Sequence, residues 1–303
     1  RFSKGYECPK CQCKDVNKNG KSNGRQRYIC KRCRTSFDEF TMSPFSNTKL
    51  GLDKWIKYCE LMILGLSIRK CAEEVGVGVK TSFYMRHRIL DVINLSLKND
   101  KVEGIVEVDE CFIKESFKGN HSKSTTFVMP RNPRKRGKGK NDKKKRGISK
   151  EQICIETAID RKGNILMSAV CNGRITTNQI INFFDNKICE DATFCVDSHK
   201  SYMAIKDKLN IELKQVPRGK SMIDSVYHLQ HINALHSSFK RWLMTFNGVS
   251  TKYINNYLAW FKFLQLSKKN KKNDRIKDML VNVATKDTYV TRATIRNRFI
   301  ELI

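Results

Sequence analysis

Two sets of residues have the types and spacing for metal chemistry. In "YECPKCQCKDVNKNGKSNGRQRYICKRCRTSF", Cys8 and Cys11 form one C-x2-C knuckle and Cys30 and Cys33 a second, with eighteen residues between them. Four thiolates so arranged suit one tetrahedral structural zinc (Zn2+), and iron is the chemical alternative for the same donors. Cys13 is a spare thiol that we read as lying outside the ligand set. The second set is dispersed: Asp109 in "VEVDECFIKES", Asp197 closing "ATFCVDS", and one stretch, "HLQHINALHSSFKRW", that holds three of the six histidines and no acid. There Asn233, His236 and Lys240 fall at i, i+3 and i+7, on one face of a helix. Phosphoryl transfer by two Mg2+ or Mn2+ ions needs oxygen ligands converging from separate elements. Asp109 and Asp197 offer carboxylates, Asn233 an amide oxygen, His236 a neighbour and Lys240 a cation for phosphate. An acid ends many strands, and a His/Asn face is often only a hydrogen-bonded surface, so the surrounding elements must decide.

Those elements are legible. Ile105, Val106, Val108 and Phe112 alternate around Asp109 and Glu110 as in a strand. "QICIETAIDRKGNILMSAV" reads as two strands joined by a turn, "TTNQIINFFDNKI" as a helix capped at Thr176 or Thr177, and "ATFCVDS" as a short apolar strand running into Asp197. Strand, strand, strand, helix, strand, with acids on the first and fourth strands, predicts an α/β domain with the mixed sheet of the RNase H-like fold. In the downstream helix Leu229, Leu235, Phe239 and Trp242 are available to the core, and His228 and His231 are read as packing or capping groups.

Between the knuckles and this domain the period becomes helical. "SIRKCAEEVGVGVKTSFYMRHRIL" offers a Ser67 cap, a short helix, a glycine turn and a second helix from about Lys80, a helix-turn-helix shape. Its Lys80, Thr81, Ser82, Arg86 and Arg88 are the candidates for a DNA groove. Residues 131–150 hold eleven Lys/Arg and one Asp; within this basic loop Arg134, Lys135, Arg136, Lys143, Lys144, Lys145 and Arg146 are candidate phosphate contacts. The expected organisation is a zinc ribbon at 1–46, helix-turn-helix at 47–100, catalytic domain at 101–266 and a basic, helical tail at 267–303.

Composition points the same way. The 59 Lys+Arg against 30 Asp+Glu leave a formal charge of +29, which calls for a polyanion partner, and double-stranded DNA leads. A membrane surface is the competitor, but no basic amphipathic helix, lipidation signal, 18-residue apolar run or signal peptide stands out, so a cytoplasmic, nucleoid-associated protein is expected. Cys59, Cys71, Cys111, Cys154, Cys171, Cys189 and Cys195 read as small core residues in a reducing compartment. There is no convincing Ser/His/Asp or Cys/His signature for a side-chain nucleophile.

The ribbon, the helix-turn-helix, "VEVDECFIKESFKGN", "CVDSHKSY" and "HLQHINALHSSFKRWLMTFNGVSTKYINNYLAWF" together resemble the insertion-sequence transposases that join an N-terminal zinc ribbon to a DDE-type, RNase H-like domain. In that family the third position is Glu or Asn with Lys seven residues on; Asn233 and Lys240 match the Asn version, and Asp109 and Asp197 match the two acids. The resemblance implies Mg2+-dependent cleavage at element ends and strand transfer by a homodimer or higher synaptic oligomer. A neutral amide in third place gives a metal less charge than a carboxylate, so His236 or Glu110 would assist. Two rivals remain: a zinc-ribbon DNA-binding regulator without catalysis, and a metal nuclease of the same fold.

Overall fold

A computed structural model describes residues 2, 5–98, 100–119, 128, 147–197, 200–288 and 290–303. They divide into two compact units, Arg1–Leu97 with Ser267–Asn297 and Lys98–Leu266 with Arg298–Ile303. The candidate phosphate contacts Arg134, Lys135, Arg136, Lys143, Lys144, Lys145 and Arg146 lie outside the described residues.

In the first unit β1 (Val16–Ser22) pairs antiparallel with β2 (Arg25–Cys30), and β2 with β3 (Ser36–Phe37). The two-residue loop is Asn23-Gly24, with φ of 49° and 75°, a turn whose backbone twist matches that of a hairpin. Three helices follow: α1 (Leu52–Ile63), α2 (Ile68–Val75) and α3 (Val79–Ser96). Ser67 Oγ caps α2 by accepting from the Lys70 N–H at 3.3 Å, and Gly76 ends it at φ 66°, where a side chain would be strained. The α2–α3 pair is therefore the helix-turn-helix foreseen.

The face of α3 differs from the expectation, and two of its groove candidates need correcting. Ser82 and Arg86 are fully buried, on the same stripe as Met85, Ile89 and Ile93. Ser82 Oγ donates to Ile68 O at 2.8 Å, and an Arg86 guanidinium nitrogen donates to Leu66 O at 2.6 Å. Both polar side chains thus lock the α2 region to α3 and do not face a groove. Arg88 is half-buried and donates to Pro44 O and Ser46 O at 3.1 and 2.9 Å, whereas Lys80 is exposed and Thr81 half-buried. The C-terminal stretch forms α9 (Lys272–Thr285) and α10 (Arg292–Arg296). Buried Met279, Val283 and Ile295 give these helices an apolar stripe, and they pack on α1 and α3.

The second unit is built on five strands. They are β4 (Ile105–Lys114), β5 (Gln152–Asp160), β6 (Ile165–Asn172), β7 (Thr193–Val196) and β8 (Glu212–Gln215), in spatial order β6-β5-β4-β7-β8. The β4–β5 and β5–β6 pairs are antiparallel and the β4–β7 and β7–β8 pairs parallel, the mixed sheet of an RNase H-like fold. Helix α4 (Thr177–Phe184) connects β6 to β7; at its start the Gln179 side chain accepts from the Thr176 N–H at 3.0 Å. The short α5 (Lys200–Met203) and α6 (Lys206–Leu209) precede β8, and α7 (Gln230–Met244) and α8 (Ile254–Leu266) follow it.

Two cores sandwich this sheet. Val106, Val108, Phe183, Phe184, Phe194 and Tyr202 pack on one face; Cys111, Ile153, Ile155, Leu235, Phe239 and Phe261 pack on the other. Each such large apolar side chain contributes roughly 1.5–3 kcal/mol on burial, enough in sum to tolerate acids on the central strand. Strand alternation turns Glu107, Asp109 and Cys111 toward α7.

Candidate active site

The four N-terminal thiols converge. Cys8 Sγ lies 3.5 Å from Cys33 Sγ and Cys11 Sγ 3.6 Å from Cys30 Sγ, and all four sulfurs lie within 4.8 Å of one another. Zinc with bonds of ~2.3 Å sets sulfurs roughly 3.8 Å apart, so the donor set fits a tetrahedral metal. The knuckles are built alike: Cys8 O accepts from the Gln12 N–H at 2.8 Å and Cys30 O from the Arg34 N–H at 2.9 Å. Gln12 and Arg34 both adopt positive φ, 57° and 58°. Cys13 stands outside the four and gives its carbonyl to the Cys8 N–H.

In the second unit the parallel register pairs Ile105 with Thr193 and Glu107 with Cys195. Asp109 lies two residues beyond this pairing on β4, and Asp197 follows directly on the last residue of β7. These are the central strand and its parallel neighbour, and the Asp197 charge reaches the Asp109 carboxyl from beyond the end of β7. Burial pushes the Asp109 carboxyl up to about 7, helped by the charges of Glu110 and Asp197 and opposed weakly by Lys240. Helix α7 crosses the same face. His236 Nδ1 lies 3.6 Å from an Asp109 oxygen, too far for a hydrogen bond, and burial with the Lys240 charge pushes this imidazole down to about 4. His236 is therefore neutral near pH 7. Lys240 is exposed one turn further on, and its charge reaches both Asp109 and Cys111. Asn233 is exposed and stands one helical turn ahead of His236.

A second layer of acid lies across the sheet. Glu110 faces Glu156 on β5, and Tyr202 Oη donates to Glu156 Oε1 at 3.0 Å. Glu156 is fully buried and held well above the usual carboxylate range by that burial and by Glu110; burial and the Asp197 charge raise Glu110 in the same direction. Carboxyls that raise one another in this way are eased by added divalent cations, and Lys240 is the cation whose charge reaches Asp109. On the α7 face Asp109 offers oxygens, with Asp197 beyond β7 and the Asn233 amide on the facing helix, while Glu110 points to the Glu156 side.

The structure therefore brings Asp109, Asp197, His236 and Lys240 together and sets Asn233 on the adjoining helix face. Sequence reasoning missed Glu156 and Tyr202, and it missed Glu107 with Arg161. The available signal for Glu107 was the alternation in "VEVDE", which puts it on the face of Asp109. Glu156 sits in an apolar run with no period to mark it.

The chain is similar to several known proteins. The family described as ISXO2-like transposase domain matches residues 101–265. A relative from Halobacterium salinarum, named as an uncharacterized protein in transposable element ISH50, is 25% identical over 264 residues, 86% of each chain. A pre-cleavage Mos1 transpososome is 14% identical over 75% of this chain and 76% of that one, with a TM-score of 0.26. A Mos1 paired-end complex with the left transposon end is 15% identical over 73% and 75%, with a TM-score of 0.25. At those scores the fold rests on the strand order itself. The family match runs from just before β4 into α8 and takes in Asp109, Asp197 and Asn233; the chain belongs to the ISXO2-like transposase family.

Proposed function

We propose that this protein is a DNA transposase that cleaves the ends of its element and joins the freed 3′-hydroxyl to target DNA. The observation that supports this reading is the parallel β4–β7 pairing, with Asp109 on β4 feeling the charges of Asp197, just past β7, and of Lys240 on α7, where His236 also approaches Asp109. Two bound Mg2+ or Mn2+ ions would polarise the scissile phosphate and activate the attacking oxygen, first of water and then of the 3′-hydroxyl. Asp109, Asp197 and Asn233 would hold them. Lys240 supplies a cation to a non-bridging phosphate oxygen. Neutral His236 fills the space beside Asp109 without adding positive charge that would compete with a metal.

The four-cysteine ribbon, as a zinc-bound fold, and the helix-turn-helix would recognise the terminal repeats on double-stranded DNA. Lys80 and Thr81 at the start of α3 are the candidate groove residues that remain accessible, with the basic 131–150 segment as a further phosphate contact. The partner assembly is a homodimer or higher synaptic oligomer, acting in the cytoplasm on nucleoid DNA. The test is incubation with DNA carrying the element's own ends, with and without Mg2+, scoring nicking and joining separately. Nicking and joining together support the transposase; nicking alone indicates a nuclease, and binding without either indicates a regulator.

A further inference from the structure

Glu107 lies two residues ahead of Asp109 on the same face of β4 and is 1% exposed, and four groups converge on its carboxylate. Arg161, in the turn between β5 and β6, sets a guanidinium nitrogen on Oε1 and gives another to Val226 O at 3.0 Å. His231 Nδ1 lies 2.7 Å from Oε1 and His228 Nδ1 3.3 Å. The Ile232 N–H, in the first turn of α7, donates to Oε2 at 3.0 Å. Leu229 at the N-cap of that helix offers no side-chain acceptor, and His228 Nδ1 accepts from the Gln230 N–H at 3.3 Å. Glu107 supplies the acceptor for the Ile232 N–H from the neighbouring strand, at the helix end where negative charge is favourable.

The Glu107, His228 and His231 donor atoms lie within 4.8 Å of one another, a spacing that also suits a metal. Arg161 decides between the two readings. Its guanidinium sits on the Glu107 oxygen and also meets His231 Nδ1, so the positive charge is already in place. Further along the same strand face Asp109 meets His236, and Cys111 shares a core with Leu235 and Phe239. A helix pinned at Ile232 and packed at Leu235 and Phe239 has one register over β4.

We propose that Glu107, neutralised by Arg161 and flanked by His228 and His231, is a positioning residue: it pins the first turn of α7 to β4 and so sets where Asn233, His236 and Lys240 stand against Asp109. The role in catalysis rests on the transposase reading above; the pin itself does not.

The test uses the full chain with Glu107→Gln, with Arg161→Gln as the milder variant should the first not fold, and Lys162→Gln as a control in the same turn. Lys162 is exposed and pairs with Glu103 at 2.8 Å, away from the clamp. In hydrogen exchange, amides of residues 230–236 should exchange about tenfold faster in both clamp variants while β5 and β6 keep their protection. In end cleavage the Mg2+ concentration for half-maximal rate should rise about tenfold and kcat should fall, with end-DNA affinity unchanged. The control should match wild type in all three. Unchanged α7 exchange in a folded clamp variant overturns the pin, as does a second zinc per chain that His231→Ala removes. An unchanged Mg2+ midpoint and kcat overturn the positioning role. If wild type fails to cleave while α7 exchange responds, the pin stands and the transposase reading falls.

Discussion

Asp109→Asn should cost activity and yield stability, with a sign set by the burial of that carboxyl. In the metal-free protein Asp109 is pushed from an ordinary 3.8 up to about 7. The folded state therefore holds a proton that the unfolded chain has released between about pH 4 and pH 7. Stability falls as pH rises through that window, and the full cost is present above it. At 1.36 kcal/mol per pH unit the cost is about 1.5 kcal/mol at pH 5 and at most about 4 kcal/mol at pH 8. The asparagine amide matches the neutral acid in shape and carries no charge to desolvate. Denaturant titration without metal, followed by the fluorescence of Trp242 and Trp260 in this unit, should show Asp109→Asn more stable than wild type, with a gain larger at pH 8 than at pH 5. Saturating Mg2+ should narrow the gap by stabilising wild type. An Asn variant with the same gain at both pH values, or equal Mg2+ stabilisation of both proteins, refutes the reasoning.

Other outcomes follow from the same geometry. Asn233→Ala should slow end cleavage by at least about tenfold, the cost expected of losing one metal donor, and Asn233→Asp should recover part of it; full activity of the alanine variant leaves Asn233 structural. Arg86→Ala should destabilise the helical unit by about 3 kcal/mol, because it empties a buried, hydrogen-bonded site, and thermal melts should show the loss. Lys80→Ala should leave the melts unchanged while weakening DNA binding and reducing the salt slope by about one. Removing the ribbon metal with a chelator should melt β1–β3 without altering the second unit, and metal analysis should return one zinc for the four cysteines; iron in its place corrects the metal assignment.

How far the sequence reached depended on whether a residue's role leaves a local pattern. The knuckle spacing and the Ser67 and glycine-turn helix ends are local signals, and each element formed where its signal lay. The order of apolar strands carried the sheet topology, and acids on the first and fourth strands became neighbours because β7 joins β4 in parallel. Strand β8, "ELKQ", has too little apolar alternation to announce itself and exists because β7 offers it an edge. Ser82 and Arg86 misled because hydroxyl and guanidinium groups on a second helix suit a groove as well as they suit backbone carbonyls in a tight hairpin. The Glu107–Arg161 clamp joins residues fifty-four positions apart, and nothing in the local sequence of either names the other.

The central claim is that Asp109 and Asp197 work as one site. The direct test is single-turnover cleavage of end DNA in Mg2+ by wild type, Asp109→Ala and Asp197→Ala, with end-DNA affinity measured in parallel. Loss of cleavage in both variants, with wild-type affinity retained, is the predicted result; cleavage surviving in either one contradicts the account.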